Sequence, residues 1–308
     1  MVLPQRSHAS TKAELAKLFS ITTKARNLFG ISTIFFSSAI SEKQNKVNRG
    51  SVSEFSFPAY LINLDRHPER LKISGNELNS IGLDFQRVAA VDHRDLGPQT
   101  LSSVVDRSPK TMIKRALSPG EVACYLSHLR VWQTIAEGSA DMAWVFEDDV
   151  SFCESARAAM LEIESGERDW DIVRLYSHKA LALERVKPLE GRYSIALSRK
   201  IPMSTIAYAI SRPAADYLYR TMQPISIPVD SALKQWWVHG LCTKIVAPSV
   251  CAPRQDTATS STLDRDRKSH KSKNPVKRFL SNLRYQMYLR RMRLFHSASF
   301  PEARKFPW

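Results

Sequence analysis

Three consecutive carboxylates follow an apolar run in the segment AWVFEDDV, residues 143–150. The run has the composition of a buried strand, so Glu147, Asp148 and Asp149 are expected at its carboxyl end. Adjacent carboxylates repel one another and resist desolvation, which is unfavourable unless a cation or hydrogen-bond donors compensate. The segment therefore predicts a cation site, and a solvated acidic turn is the alternative.

Side-chain alternation separates the three carboxylates. An extended chain sends Glu147 and Asp149 to one side and Asp148 to the other, so the outer pair can share a metal ion while the middle residue meets another donor. Oxygen ligands of this kind suit Mg²⁺ or Mn²⁺, which keep coordination positions for substrate phosphates. The pattern thus favours a divalent cation shared between protein and substrate.

Strands and helices alternate along the chain after residue 55. Strand-like runs occur at residues 59–64, 85–91, 142–149, 170–176, 193–197 and 205–210. Residues 65–79 have helical spacing, and a short helix should begin at Ser211. The alternation predicts an α/β sheet with helices on its faces, in which ligands bind beyond the carboxyl ends of the strands.

A longer helix has strong terminal signals. Ser118 is a suitable N-cap, Pro119 suits the first helical position, and Glu121 can complete a capping box. This helix should continue to Gly138.

Composition narrows the class of protein. The 308 residues, 43% of them hydrophobic, can bury one large core, and the formal charge of +15 suggests a polyanionic partner: nucleic acid, an anionic membrane or a phosphorylated substrate. The cysteines form no CxxC pair and have no adjacent histidine at zinc-finger spacing, so neither a disulfide framework nor a structural zinc site is predicted. They are Cys124, Cys153, Cys242 and Cys251. A reducing compartment is expected.

Residues 1–55 are predicted to be a poorly ordered N-terminal extension, either a real one or the result of an early start site. Their apolar run, residues 28–40, is shorter than the roughly 20 residues of a membrane-spanning helix. The core of a secretory signal is the alternative, although no clear small-x-small cleavage site follows.

Eight motifs along the chain occur in an order known from other proteins. They are AYLINLDRHPERL (59–71), FQRVAAVDH (85–93), GEVACYLSHLRVW (120–132), VFEDDV (145–150), WDIVRL (170–175), STIAYAISRPAADYL (204–218), IPVD (227–230) and SSTLDRDR (260–267). In these motifs and their order the chain resembles glycosyltransferase family 25. That family includes lipooligosaccharide galactosyltransferases of bacteria and collagen galactosyltransferases of animals.

This resemblance implies one GT-A-type nucleotide-sugar-binding domain, residues 56–266, with a mixed, mostly parallel central sheet. It implies that the acidic motif holds a divalent cation on the diphosphate of a UDP-sugar, where the metal stabilises the leaving nucleotide as a Lewis acid. Asp149 is then the first candidate for direct coordination and Glu147 the second. Asp148 would reach the metal through water or bind the ribose of the donor.

Donor binding should also use residues that follow the first strand, namely Asn63, Arg66 and Arg70. Arginine matches the geometry of phosphate oxygens. Because Arg66 and Arg70 are four residues apart on a predicted helix, a solvated helix face is the alternative for them.

Four further residues are candidates for donor binding. Ser127 and His128 belong to the LSH element of the family, although His128 could instead be a core histidine and is not expected to bind metal. Gln255 and Asp256 follow the run 242–250 and could close the donor pocket.

Family 25 resembles inverting transferases, which need a base to accept the proton of the acceptor hydroxyl. Asp230 is the best candidate, because it lies between the loop PISIPV and the helix-like segment SALKQWWVHG. The alternative role for Asp230 is a helix N-cap.

Residues 267–308 are predicted to form a basic amphipathic tail. Basic residues dominate it, and apolar residues repeat at helical spacing at Val276, Leu280, Leu283 and Met287. This pattern is typical of a helix that lies on an anionic membrane. A helix packed on the domain and a nucleic-acid contact are the alternatives, of which nucleic acid is the less expected.

The leading hypothesis is a metal-dependent inverting glycosyltransferase that moves a hexose, with galactose expected, from a UDP-sugar to lipopolysaccharide or lipooligosaccharide core. It would be cytoplasmic, peripheral at the inner face of a membrane. The alternatives are a metal-dependent phosphohydrolase and a basic nucleic-acid or lipid-binding module.

Overall fold

The computed structural model describes residues 55–106, 115–254 and 275–302. Its strands are β1 (Ala59–Asn63), β2 (Gln86–Ala89), β3 (Met142–Glu147), β4 (Val150–Phe152), β5 (Ile172–Arg174), β6 (Glu184–Pro188), β7 (Ser194–Leu197), β8 (Ala207–Ser211), β9 (Thr243–Ala247) and β10 (Cys251–Pro253). Its α-helices are α1 (Pro68–Ser80), α2 (Pro98–Val104), α3 (Pro119–Glu137), α4 (Ala156–Ser165), α5 (Arg212–Thr221), α6 (Val229–Leu233), α7 (Trp236–His239) and α8 (Pro275–Phe295).

Eight of these strands form one sheet in the order β2-β1-β3-β8-β5-β9-β7-β6. Strands β8 and β7 run opposite to the other six. The predicted α/β fold with a mixed, mostly parallel central sheet is therefore confirmed. Strand β4 directly follows residues 147–149, the acidic turn, and pairs with β10 in a separate antiparallel ribbon.

Helices cover both faces of the sheet, because the central strands are apolar on both sides. Trp144 and Phe146 of β3 pack in one core cluster with residues of α1 and α4. Ala143 and Val145 of the same strand pack in the other cluster with α3, α5 and α6. The alternation of β3 therefore predicts that Glu147, the next residue in the second series, points toward α3.

Helix α3 has the bounds that its terminal residues predict. The Ser118 side chain accepts a hydrogen bond from the Glu121 backbone N–H at 3.3 Å, and the Glu121 carboxylate accepts one from the Ser118 N–H at 3.1 Å. The helix ends before Gly138, which is its C-cap. The reciprocal capping satisfies two backbone donors that the first helical turn leaves unpaired.

Replacing Ser118 with alanine should lower the free energy of unfolding by about 1 kcal/mol, because a buried cap is lost. Urea unfolding followed by circular dichroism measures this. Ser102→Ala is the matched control, since the Ser102 hydroxyl only contacts the Gln99 carbonyl on the exposed surface of α2. Equal effects of the two substitutions would show that the cap adds nothing.

Helix α1 and strand β6 differ from the sequence expectations. Helix α1 begins at Pro68 instead of residue 65, because residues 65–67 form a turn and proline favours the first helical position. Strand β6 was not expected: its residues are all exposed at the sheet edge, so no hydrophobic alternation marks it.

Helix α8 packs on the domain through one side only. Tyr285 and Leu289 are buried, and the Lys234 ammonium lies 5.4 Å from the centroid of the Tyr285 ring. The predicted apolar stripe faces the other way, and its members Val276, Leu280, Leu283 and Met287 are exposed. None of the helices in the described residues combines the length and the apolar character that crossing a membrane requires.

Some sequence predictions concern residues outside the described ranges. They are the N-terminal extension up to residue 54, Gln255, Asp256, and the SSTLDRDR motif at 260–267.

Candidate functional site

The carboxyl ends of three parallel strands meet at one edge of the sheet. Strands β1, β3 and β5 end at Asn63, Glu147 and Arg174. The antiparallel strand β8 lies between β3 and β5, so that Tyr208 pairs with Val145 on one side and with Arg174 on the other. This edge is where open α/β sheets bind their ligands.

Asp148 is held by neutral and charged donors. The Asn63 amide donates to its Oδ2 at 2.7 Å, and the Arg70 guanidinium lies 2.6 Å from its Oδ1. The Ser74 hydroxyl donates to the Asp148 carbonyl at 2.7 Å. Burial raises the pKa of Asp148, and Arg70 and Asn63 oppose that rise. The middle carboxylate thus meets protein donors, although residues 148 and 149 form a turn after β3 and not the extended chain from which alternation was predicted.

The charge of Asp149 is compensated by fewer donors than that of Asp148. Its Oδ2 is 3.8 Å from Arg70, and its Oδ1 is buried without a hydrogen-bond partner among the described residues. Burial, followed by the charge of Glu147, raises the pKa of Asp149 to about 7. A buried carboxylate oxygen without a donor is the environment that a bound cation would stabilise.

Glu147 points toward α3 and is hydrogen-bonded there. Its Oε1 is 3.2 Å from His128 Nε2, and the Thr205 hydroxyl donates to the same oxygen. Burial alone would raise the pKa of Glu147, but the hydrogen bonds of His128 and Thr205 and the charges of His128 and Arg70 lower it overall. Glu147 is therefore held as a carboxylate.

A thiol joins the His128 and Glu147 pair. In the part of the chain that the structure describes, one group of metal-ligand atoms converges, from Cys124, His128 and Glu147, and these atoms lie within 4.8 Å of one another. The three adjacent carboxylates do not form such a group. Sequence reasoning did not predict Cys124 or expect His128 as a ligand, although their separation of four residues on one helix was a usable signal.

The other predicted donor residues take different positions. Arg66 pairs with Asp92 and donates from Nε to the His67 ring at 3.3 Å. Ser127 accepts a hydrogen bond from the Val91 N–H at 2.9 Å and donates to the Ala123 carbonyl at 2.8 Å, which ties α3 to the chain after β2. Asn63 and Arg70 thus contact the carboxylates directly, whereas the contacts of Arg66 and Ser127 are with other groups.

Asp230 lies in the first turn of α6, whose N-cap is Pro228. The alternative role of Asp230 as an N-cap is therefore wrong. Its Oδ1 is buried and has no hydrogen-bond partner among the described residues. A buried, unpartnered carboxylate oxygen is available to accept a proton or a hydrogen bond from a ligand.

Arg174 was missed by sequence reasoning. It is 1% exposed, and none of its three guanidinium nitrogens has a hydrogen-bond partner in the described ranges. Burial lowers the pKa of Arg174, while Tyr208, Asp230 and Glu147 act in the opposite direction. The charges of both Asp230 and Glu147 thus act on Arg174, which interacts electrostatically with the two predicted parts of the site.

The fold and site define an α/β protein in which acidic residues and Arg70 meet at the carboxyl edge of the sheet. Residues 57–233 match the model of glycosyltransferase family 25, described as an LPS biosynthesis protein family. The chain belongs to glycosyltransferase family 25.

The individual relatives share about a quarter of their aligned residues with this chain. A Haemophilus influenzae protein described as a glycosyltransferase is 25% identical over 62% of this chain and 68% of its own length. Procollagen galactosyltransferase 1-A of Xenopus laevis is 25% identical over 75% of this chain and 38% of its own length. Inactive glycosyltransferase 25 family member 3 of Homo sapiens is 26% identical over 67% of this chain and 40% of its own length. The chain thus spans less than half the length of these animal relatives.

Proposed function

We propose that the protein is a metal-dependent inverting glycosyltransferase that moves a hexose from a UDP-sugar to a glycan acceptor. The observation that carries this proposal is the cluster at the carboxyl edge of the sheet, where Asn63 and Arg70 hold Asp148 and the buried charge of the neighbouring Asp149 has little compensation. The names of the Xenopus and Haemophilus relatives support galactose as the sugar and a glycosyl-transfer reaction. The family description supports lipopolysaccharide or lipooligosaccharide core as the acceptor.

A GT-A-type donor site needs a cation on the diphosphate, and the chemistry of the residues present fits Mn²⁺ or Mg²⁺. Asp149 and Glu147 would hold it, since such ions bind to one or two carboxylates together with substrate phosphates. The ion would neutralise the diphosphate and stabilise the leaving nucleotide. Metal binding would also compensate the buried charge of Asp149.

The chain's own residues would orient the donor. Asn63 binds the Asp148 side chain, Ser74 binds the Asp148 carbonyl, and Arg70 lies close to the carboxylates of both Asp148 and Asp149. These contacts hold the turn on the side that faces α1. On its other side, the Arg254 N–H donates to the Asp149 carbonyl at 2.8 Å. A turn held at both sides keeps its carboxylates in place for the diphosphate, which reduces the ordering needed on binding.

Asp230 would accept the proton of the acceptor hydroxyl as the sugar is transferred. Its unpartnered Oδ1 is available for this contact. Arg174, on which the charges of Asp230 and Glu147 both act, would contribute positive charge near the oxygens of the bound donor. With Asp230 as the base, the acceptor would lie on the α6 side of the site.

Incubation of the protein with a panel of UDP-sugars and Mn²⁺ tests this function. Nucleotide release should occur with one hexose donor and should rise when a truncated lipopolysaccharide core is added. Release from many phosphate esters, independent of acceptor, would support the phosphohydrolase alternative. No turnover with any donor or acceptor would support a binding module.

The exposed side of α8 favours an anionic membrane as a further partner. Because 3.6 residues make one helical turn, Leu283 and Met287 lie on the side opposite the buried Tyr285. Arg290 and Arg291 line a shallow groove together with Met287 on that exposed surface. Apolar side chains flanked by arginine fit an interface of acyl chains and anionic headgroups, and this fit supports a position at the inner face of a cytoplasmic membrane.

The double substitution Leu283→Glu and Met287→Glu should release the protein from anionic vesicles. The change introduces two negative charges on the exposed side and leaves the packed Tyr285 intact. Sedimentation with phosphatidylglycerol vesicles at low salt measures binding, which should weaken at least about tenfold because apolar contact is lost and anionic lipid repels the new charges.

The double substitution Val186→Glu and Val238→Glu is the matched control, because these valines are exposed apolar residues outside α8. It should leave vesicle binding unchanged. If the unmodified protein stays in the supernatant at low salt, the exposed side of α8 does not bind the membrane.

A further inference from the structure

Helix α3 carries a thiol and an imidazole past the end of β3. Cys124 and His128 are four residues apart, so they share one helix face, and Glu147 at the end of β3 points toward that face. The Cys124 sulfur, a His128 ring nitrogen and a Glu147 carboxylate oxygen lie within 4.8 Å of one another. The three groups come from two rigid elements and do not depend on a loop.

The His128 ring is held in place by its other nitrogen. Nδ1 is 2.9 Å from the Tyr208 hydroxyl, while Nε2 faces Glu147 at 3.2 Å. The Trp132 indole N–H donates to the same Tyr208 oxygen at 3.0 Å and so fixes the phenol. Metal-binding histidines are usually oriented by such a contact of the second ring nitrogen.

Glu147 is fixed in the same way. The Thr205 hydroxyl donates to its Oε1 from the chain before β8. His128 is 1% exposed, which excludes most water from one side of the group. A ligand cluster with oriented histidine and carboxylate can bind a metal with little rearrangement.

We propose that Cys124, His128 and Glu147 form a binding site for a borderline-soft divalent metal of the Zn²⁺ class. One thiolate, one imidazole and one carboxylate are ligands that such ions prefer, and they fill three positions of a tetrahedron. Mg²⁺ and Mn²⁺ prefer oxygen ligands, so the thiolate distinguishes this site from the acidic turn. On binding, the Cys124 thiol gives its proton to solvent, and Nε2 of His128 coordinates as the neutral imidazole.

A metal at this site would also affect the acidic turn, a consequence that rests on the proposed function. Glu147 is the carboxylate that the two sites share. Zn²⁺ bound with Cys124 and His128 would hold Glu147 on the α3 side, so that Asp149 alone remains as a protein carboxylate for Mn²⁺. Zn²⁺ should then inhibit Mn²⁺-dependent nucleotide release.

Titration of the full-length protein with Co²⁺ tests the site independently of activity. Cobalt bound to a thiolate gives a charge-transfer absorption in the near ultraviolet, and we expect this band to saturate at one ion per chain. Zn²⁺ should remove the band by displacement. Cys124→Ser should abolish it, whereas Cys153→Ser, a change of another partly buried cysteine, should leave it unchanged.

Two further measurements do not depend on the folding of the Cys124 variant. In the unmodified protein, Zn²⁺ should protect Cys124 but not Cys153 from alkylation, as read by mass spectrometry. Tyr208→Phe should weaken Zn²⁺ binding about 10- to 100-fold, because His128 loses its orienting contact. Absence of the cobalt band, or alkylation of Cys124 at an equal rate with and without Zn²⁺, would overturn the proposal whatever the outcome of the transferase assay.

Discussion

Asp149→Asn should abolish Mn²⁺-dependent nucleotide release and at the same time stabilise the metal-free protein at neutral pH. The substitution removes a charged oxygen ligand, and it also removes a carboxylate that is costly to ionise in the folded state. Burial and then the charge of Glu147 raise the pKa of Asp149 from 3.8 to about 7. The Asp149 carboxylate would thus lower the stability of the metal-free protein and at the same time provide a ligand for the cation.

The sign of the stability effect depends on pH. Because the folded protein binds the Asp149 proton more tightly than the unfolded chain, the wild type loses stability as pH rises from about 4 to about 7. Asparagine cannot ionise, so the variant should match the wild type near pH 3. At pH 7 in chelator it should be more stable by roughly 2 to 4 kcal/mol.

Urea unfolding in chelator across this pH range measures the effect. Asp84→Asn is the matched control, because Asp84 is exposed and should show no comparable gain. Addition of Mn²⁺ should stabilise the wild type and not Asp149→Asn. Retained Mn²⁺-dependent release in the variant would remove Asp149 from the cation site.

Asp230→Asn should lower turnover by about 10²- to 10⁴-fold, the usual effect of removing a general base. The amide has nearly the same shape as the carboxylate but cannot accept the proton of the acceptor hydroxyl. The affinity for the UDP-sugar should stay near that of the wild type, because the predicted donor contacts lie at the acidic turn. Steady-state kinetics combined with calorimetric donor titration separates the two quantities.

Asp216→Asn on the surface of α5 provides the control for a general loss of negative charge; Asp216 pairs with Arg220 on the same exposed helix. It should leave turnover unchanged. A collapse of donor affinity in Asp230→Asn, with turnover at saturation preserved, would make Asp230 a donor ligand and leave the base unassigned.

Local signals explain which parts of the fold could be predicted. Ser118, Glu121 and Gly138 act on their own helix, and the apolar run before Glu147 is continuous, so α3 and β3 were predicted closely. Because this apolar run ends at Glu147, the position of the acidic turn at the carboxyl end of β3 could also be predicted. Strand β6 carries no apolar alternation and depends on pairing with β7, which sequence alone does not indicate.

The missed residues of the site depend on long-range order. Arg174 and Tyr208 become neighbours only because β8 inserts antiparallel between β3 and β5. Read in isolation, each belongs to a short apolar strand, and neither has a functional spacing to the acidic turn. The contact of Cys124 with Glu147 likewise requires that α3 packs over β3, which the helix pattern permits but does not specify.

The packing of α8 has a consequence for which acceptor sugars the enzyme can reach. Tyr285 is hydrogen-bonded to Ser231, the residue after Asp230, so the side of α8 opposite the exposed stripe supports the helix that carries the proposed base. When the exposed apolar side of α8 lies on a bilayer, Asp230 would be separated from the membrane by the thickness of one helix, which is about 10 Å. Sugars directly attached to the lipid would then be too close to the membrane to reach Asp230. The enzyme would therefore select glycans that are already long enough to extend to it.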